Sequence, residues 1–170
     1  TAIEAGAQVA VMAPTEILAE QHYLKFKQWL EPLGLSVAWL SGSQRKKAKA
    51  QNKAALSDGL IQIAVGTHAL FQDDVQFQNL GLVIVDEQHR FGVAQRLALK
   101  NKGADVHQLM MSATPIPRTL AMSFFADLDV SVIDELPPGR TPIKTRLVNS
   151  VRRSEVEGLV LGACRKGQQA

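Results

Sequence analysis

The chain has a single cysteine, Cys164, so no internal disulfide can form and nothing marks it as a secreted, cross-linked scaffold. No apolar run approaches the roughly 18 residues of a membrane helix, and no basic leader precedes an apolar stretch. Charge of one sign is also scarce. Nineteen Lys and Arg against 16 Asp and Glu leave +3, which is compatible with a polyanionic partner without demanding one. Histidines 22, 68, 89 and 107 show neither C-x-x-C nor H-E-x-x-H spacing, and Asp86 with His89 would give a transition metal too few ligands. With no base placed to activate it, Cys164 reads as a small buried hydrophobe. What is present is apolar content: 46% of 170 residues, enough to bury a core and exclude disorder. The expectation is a soluble, cytoplasmic globular protein.

Four short apolar runs stand out, at residues 9–13, 61–65, 82–85 and 109–111. They are near-continuous rather than alternating, as in strands covered on both faces of a parallel sheet. Weaker runs at 36–40 and 130–133 are candidate further strands. Ala19, Tyr23, Phe26 and Leu30 form one helical stripe, with Thr15 as a candidate N-cap and Glu16 and Glu20 where the helix dipole favours acid. Residues 46–56 read as a second helix ended by Ser57-Asp58-Gly59, and Pro117 suits the first turn of a third, running to about Phe125. Strands alternating with helices predict an α/β, mostly parallel sheet with helices on both faces. Residues 136–142 hold three prolines and a glycine and read as a linker. The predicted organisation is therefore a domain over 1–135, the linker, and the beginning of a second domain over 143–170. That last segment is expected to hold a strand at 143–148 and a helix at 154–165. Gly6 and Gly167 each follow a segment resembling a helix end, so both termini suggest a larger architecture continuing beyond them.

Ligands of open parallel sheets bind outside the carboxyl ends of the strands. The residues there are Pro14 and Thr15, Gly66, Thr67 and His68, Asp86, Glu87, Gln88 and His89, and Ser112, Ala113 and Thr114. All are small, polar or acidic, and would converge on one edge. An aspartate fixed at a strand end can hold a hydrated Mg²⁺, and an adjacent glutamate can orient or deprotonate water attacking a γ-phosphate. Plainer readings stand beside these. Asp86 and Glu87 alone could be solvated acids opening a loop, and Thr15 a simple cap. The basic cluster of Arg45, Lys46, Lys47, Lys49 and Lys53 reads as a solvated helix face ahead of a DNA contact. Arg152 and Arg153 read equally as a cationic surface turn.

Together these segments resemble the first motor domain of a superfamily 2 helicase. Residues 86–89 match the DExH box and 112–114 the SAT motif; 13–21 are similar to motif Ia and 65–70 to motif Ib. The strings DEQHRFG at 86–92, TPIPRT at 114–119 and DELPPGRTP at 134–142 narrow the resemblance to the RecG family of branch-migrating DNA helicases. The resemblance implies a RecA-like fold of the P-loop NTPase type, ATP and Mg²⁺ as cofactors, and branched or forked DNA as partner. It implies Asp86 as the Mg²⁺-organising acid (through water), Glu87 as catalytic base, and His89 as a link from nucleotide state to the neighbouring motif. Gln88, Ser112, Ala113 and Thr114 would couple hydrolysis to movement between motor lobes. Pro14, Thr15, Gly66, Thr67 and His68 would lie against DNA phosphates. One departure is large: the family's phosphate-binding G-x-x-x-x-G-K-[ST] loop is absent from these residues. In the family it lies a helix upstream of the position matching Thr1, and the second lobe and the junction-gripping wedge lie elsewhere again. The expectation is that the 170 residues alone neither hydrolyse ATP nor unwind DNA, and that remaining domains of a full-length chain are partners. The alternatives are a translocase like the transcription-repair coupling factor, or a non-catalytic RecA-like module docking nucleic acid or protein. A metal-dependent hydrolase is more distant.

Overall fold

The computed structural model describes residues 1–91, 102–103, 105–114, 129–140, 143 and 145–169. The chain divides into two compact units, Thr1–Phe124 and Phe125–Ala170. In the first, β1 (Gln8–Met12), α1 (Glu16–Leu30), β2 (Val37–Leu40), α2 (Lys46–Ser57), β3 (Ile63–Gly66), β4 (Leu80–Val85) and β5 (His107–Met110) follow one another. The strands form one sheet in the order β2-β3-β1-β4-β5, and every pairing is parallel. Its register sets Leu40 beside Gly66, Gly66 beside Met12, Met12 beside Val85 and Val85 beside Met110. All five carboxyl ends therefore finish in a row, and whatever follows each strand emerges along one edge.

The continuous apolar runs are explained by a core on each face. Val9, Val11, Ile63 and Val65 point to one side, where Tyr23, Phe26 and Leu30 of α1 cover them. The alternate residues Ala10, Met12, Leu40, Ala64, Val83 and Val85 point to the other, against Leu56 of α2 and Leu70. Side chains alternate across a strand, so burial on both faces favours apolar residues at successive positions, and a polar one such as Gln8 must find hydrogen-bond partners. The stripe predicted on α1 is the face that packs, and Thr15 caps the helix by accepting from Leu18 N–H at 3.3 Å. Gly6 (φ 77°) closes the opening turn with Ala7 N–H to the Ala2 carbonyl at 3.0 Å and Gly6 N–H to that of Ile3 at 2.9 Å. Gly167 (φ 75°) repeats that pattern on Ala163 and Cys164, and a left-handed residue there suits glycine.

At the amino edge of the sheet, Gln8 is buried to 4% exposure. Its amide donates to the carbonyls of Leu56 (2.9 Å) and Ile61 (2.7 Å), and its oxygen accepts from Asn79 N–H at 2.9 Å. One side chain thus ties the end of α2 to the approaches of β3 and β4. Gln8→Leu keeps the volume but strips these partners. At about 1–3 kcal/mol for each buried polar group left unpaired, stability should fall by about 3 kcal/mol in a urea titration. A loss below about 1 kcal/mol would mean that water reaches these groups.

In the second unit, α3 (Arg153–Arg165) is the helix predicted at 154–165. Two predicted strands are not found. Residues 130–133, and 143 with 145–148, carry no strand, and Ile133 and Leu147 are 94% and 104% exposed. Their alternation is strand-like, but a strand needs a hydrogen-bonding neighbour and a covered face, and neither segment has them among the described residues. Cys164 is exposed rather than buried. The helix predicted from Pro117, residues 115–119 of the TPIPRT string, Gly92, and Thr141 and Pro142 of the linker lie outside the described residues.

Candidate active site

Asp86 and Glu87 follow β4, and the backbone around them is held from both sides. Asp86 N–H donates to the Met12 carbonyl at 2.9 Å, extending the pairing with β1 one residue past the strand. Gln88 N–H donates to the Met111 carbonyl at 3.0 Å, fastening the loop to the segment that leads into Ser112. A single 3₁₀ turn, Gln88–Arg90, follows, and Phe91, 9% exposed, anchors it against Phe71 with ring centroids 6.4 Å apart. Between these anchors Glu87 sits at φ 50°, ψ 49°, the one non-glycine residue with positive φ among those described. The left-handed conformation costs an L-residue about 1–2 kcal/mol, and such strain persists where surrounding structure imposes it, typically at functional sites.

The conformation sends the two carboxylates to different partners. Asp86 Oδ1 accepts from Glu87 N–H at 2.9 Å, and its Oδ2 from Nε2–H of His22 on α1 at 2.8 Å. Glu87 Oε2 lies 3.3 Å from His89 Nδ1. Beyond β5, the Ser112 and Thr114 hydroxyls are 2.8 Å apart, Thr114 N–H donates to Ser112 Oγ at 3.3 Å, and Ala113 between them is exposed. The catalytic and coupling candidates, Asp86 to His89 and Ser112 to Thr114, therefore share one backbone-linked patch.

Pro14 and Thr15 follow the adjacent strand β1, and Gly66, Thr67 and His68 follow or end β3 one strand further on. Thr15 is exposed and its Oγ1 accepts the capping bond, leaving its hydroxyl hydrogen to donate outward. Thr67 is 2% exposed, and its Oγ1 has no partner among the described residues. His68 is exposed.

Two contributions are not readable from the sequence. His22 belongs to the inward stripe of α1, three residues after Ala19 and four before Phe26, and a polar residue in a packed stripe is the signal that marks it. Glu16 does more than complement the helix dipole: its carboxylate accepts from Ser43 Oγ at 2.8 Å and Ser43 N–H at 3.3 Å, joining α1 to the loop after β2. The Ser43 hydroxyl and amide bonds hold the Glu16 carboxyl below its usual pKa. In the basic cluster, Lys49 donates to Gln72 Oε1 at 3.0 Å and Lys53 pairs with Asp74, so these two also fasten α2 to the segment between β3 and β4.

The donor set can be tested against a divalent cation. Asp86 offers hard carboxylate oxygens, each with a lone pair beyond its present bond. No group of three or more His, Cys, Asp or Glu that could hold a metal occurs among the described residues. A lone carboxylate of this kind is a donor suited to Mg²⁺, which keeps several waters and binds through one or two carboxylates plus phosphate.

An all-parallel sheet with an acid-bearing loop at its carboxyl edge is an open α/β architecture that binds its ligand at that edge. Residues 2–123 match the family model for DEAD/DEAH box helicases, and the chain belongs to that family. It is 58% identical over 174 aligned positions to the ATP-dependent DNA helicase RecG of Escherichia coli O157:H7, covering 99% of this chain and 25% of that protein. To the RecG of Pasteurella multocida (strain Pm70) it is 59% identical over 167 positions, covering 96% of this chain and 24% of that one. A structure of RecG bound to a three-way DNA junction superposes with a TM-score of 0.81 at 48% identity, covering 95% of this chain and 22% of the other. The chain thus spans about a quarter of the length of these relatives.

Proposed function

We propose that these residues are the hydrolytic part of an ATP-dependent DNA helicase that remodels branched DNA, such as stalled forks and Holliday junctions, in recombination and repair in the cytoplasm. Residues 1–135 form the first motor lobe in this reading, 136–142 the linker, and 143–170 the start of the second. The observation that carries it is the pair at the sheet edge: Asp86 held at both oxygens, and Glu87 turned away from it by a strained backbone. Asp86 would hold Mg²⁺ through water, and the bound ion would neutralise charge on the β and γ phosphates of ATP. Glu87 takes the proton of the attacking water, and His89, against its carboxylate, would link the nucleotide state to the neighbouring motif. Gln88, tied to Met111, would pass the state of the site to Ser112, Ala113 and Thr114 and so to the other lobe. Pro14, Thr15, Gly66, Thr67 and His68 would line the DNA path, with Thr15 giving its hydroxyl hydrogen to a phosphate.

The phosphate-binding loop is not among these 170 residues, so the isolated chain should show no DNA-stimulated ATPase. The test is ATP hydrolysis by the full-length protein, titrated with forked and linear DNA at fixed salt. Forked DNA should stimulate more strongly, and Asp86→Asn should raise the Mg²⁺–ATP concentration giving half-maximal rate about tenfold or more. Equal stimulation by linear DNA would overturn the substrate class, and an unshifted half-saturation would overturn the role of Asp86.

A further inference from the structure

We propose that His22 is a positioning residue for Asp86, and that α1 works through it as a strut between the DNA-facing start of the helix and the metal-holding carboxylate. The inference rests on the metal role of Asp86 proposed above. His22 and Asp86 are 64 residues apart in sequence, yet Nε2 and Oδ2 meet at 2.8 Å with both side chains about three-quarters or more buried, at 26% and 20% exposure. A carboxylate oxygen only accepts, so Nε2 carries the hydrogen.

The bond has a definite mechanical effect. The other hold on Asp86 is Glu87 N–H on Oδ1, a donor from the next peptide that leaves the carboxylate free to swing about that contact. A second donor on the second oxygen fixes the carboxylate plane, while each oxygen keeps a lone pair for metal-bound water. His22 is itself held, because α1 packs on the sheet through Ala19, fully buried, and through Tyr23, Phe26 and Leu30. An imidazole suits the place: its ring body fills the apolar stripe and its N–H points out of it.

The same helix begins at the carboxyl edge, where Thr15 caps it on Leu18 N–H. Seven residues along the helix separate Thr15 from His22, about 10 Å at 1.5 Å per residue. A rigid element of that length transmits a shift at its start to His22. DNA engaging Thr15 would thereby adjust the orientation of Asp86 with no change in the sheet.

The test uses the full-length protein with a non-hydrolysable ATP analogue, reading Mn²⁺ binding by electron paramagnetic resonance with and without forked DNA. His22→Ala should weaken Mn²⁺ binding about tenfold or more and abolish the strengthening of that binding by DNA. Affinity for DNA should hold, the melting temperature should fall only slightly from the lost ring packing, and the Mg²⁺ concentration for half-maximal hydrolysis should rise by more than kcat falls. His22→Gln, which keeps an N–H donor at similar reach, should restore both metal affinity and DNA response. Unchanged metal binding in His22→Ala overturns the proposal, as does an equal loss in both variants accompanied by a markedly lower melting temperature. Asp86→Asn separates the two levels: if it weakens Mn²⁺ binding and His22→Ala does not, only the positioning role fails. If Asp86→Asn also leaves Mn²⁺ binding intact, the metal role of Asp86 and the inference built on it both fall.

Discussion

Glu87→Gln in the full-length protein is expected to lower DNA-stimulated ATP hydrolysis by about 10²–10⁴, the range that a positioned general base contributes. The substitution is chosen for how little else it disturbs. Glutamine is isosteric, keeps an oxygen able to accept from His89 Nδ1, and is no better or worse placed at φ 50° than glutamate. It cannot take a proton from water. Nucleotide affinity and affinity for forked DNA should therefore stay within about twofold of the parent, so that ATP is bound and held. A pre-steady-state measurement with radiolabelled ATP separates the outcomes. Slow cleavage with normal binding supports Glu87 as base. Weak nucleotide binding with cleavage intact would exchange the roles of residues 86 and 87.

Much of this architecture is legible in the residues, and the reasons are physical. The runs at 9–13, 61–65 and 82–85 are apolar at nearly every position because their strands are covered on both faces, so β1, β3 and β4 lie within two residues of expectation. Parallel pairing then obliges the residues after each strand to share an edge, and Pro14, Thr67, Asp86 and Ser112 do. What escaped was tertiary. Residues 130–133 and 143–148 alternate as convincingly as 36–40, yet only 36–40 found a partner strand, since Val37–Leu40 pairs with β3 and the others pair with nothing among the described residues. The left-handed backbone of Glu87 is imposed by anchors at Met12 and Met111, and no local propensity encodes it. The His22–Asp86 bond joins two segments through the packing of α1, so neither segment alone discloses it. A polar residue in an inward stripe was nonetheless visible, and such residues repay inspection wherever a helix crosses the carboxyl edge of a sheet.

The largest loss of stability is expected from Gly66→Ala, a change of one methyl group. Gly66 closes β3 with Leu40 on one side and Met12 on the other. Its φ is not positive, so alanine is permitted by the backbone and the effect must come from the neighbour. A Cβ built there would lie 2.0 Å from the Leu40 carbonyl oxygen and 3.0 Å from its carbon, both backbone atoms of the adjacent strand. No rotamer relieves that contact. β2 must move away, lengthening the bond from Thr67 N–H to the Leu40 carbonyl, already 3.4 Å, and straining the one from Ala13 N–H to the Gly66 carbonyl at 3.1 Å. Overpacking costs about 1–3 kcal/mol and each buried backbone bond lost about 1–3 kcal/mol more, so a fall of about 3–5 kcal/mol in urea unfolding is expected. Because Thr67 follows directly, the same displacement should also blunt stimulation of hydrolysis by forked DNA in whatever folded full-length protein survives at low temperature. A variant within about 0.5 kcal/mol of the parent would show that β2 and β3 part there at little cost, and that the close approach is not what places Thr67 at the edge.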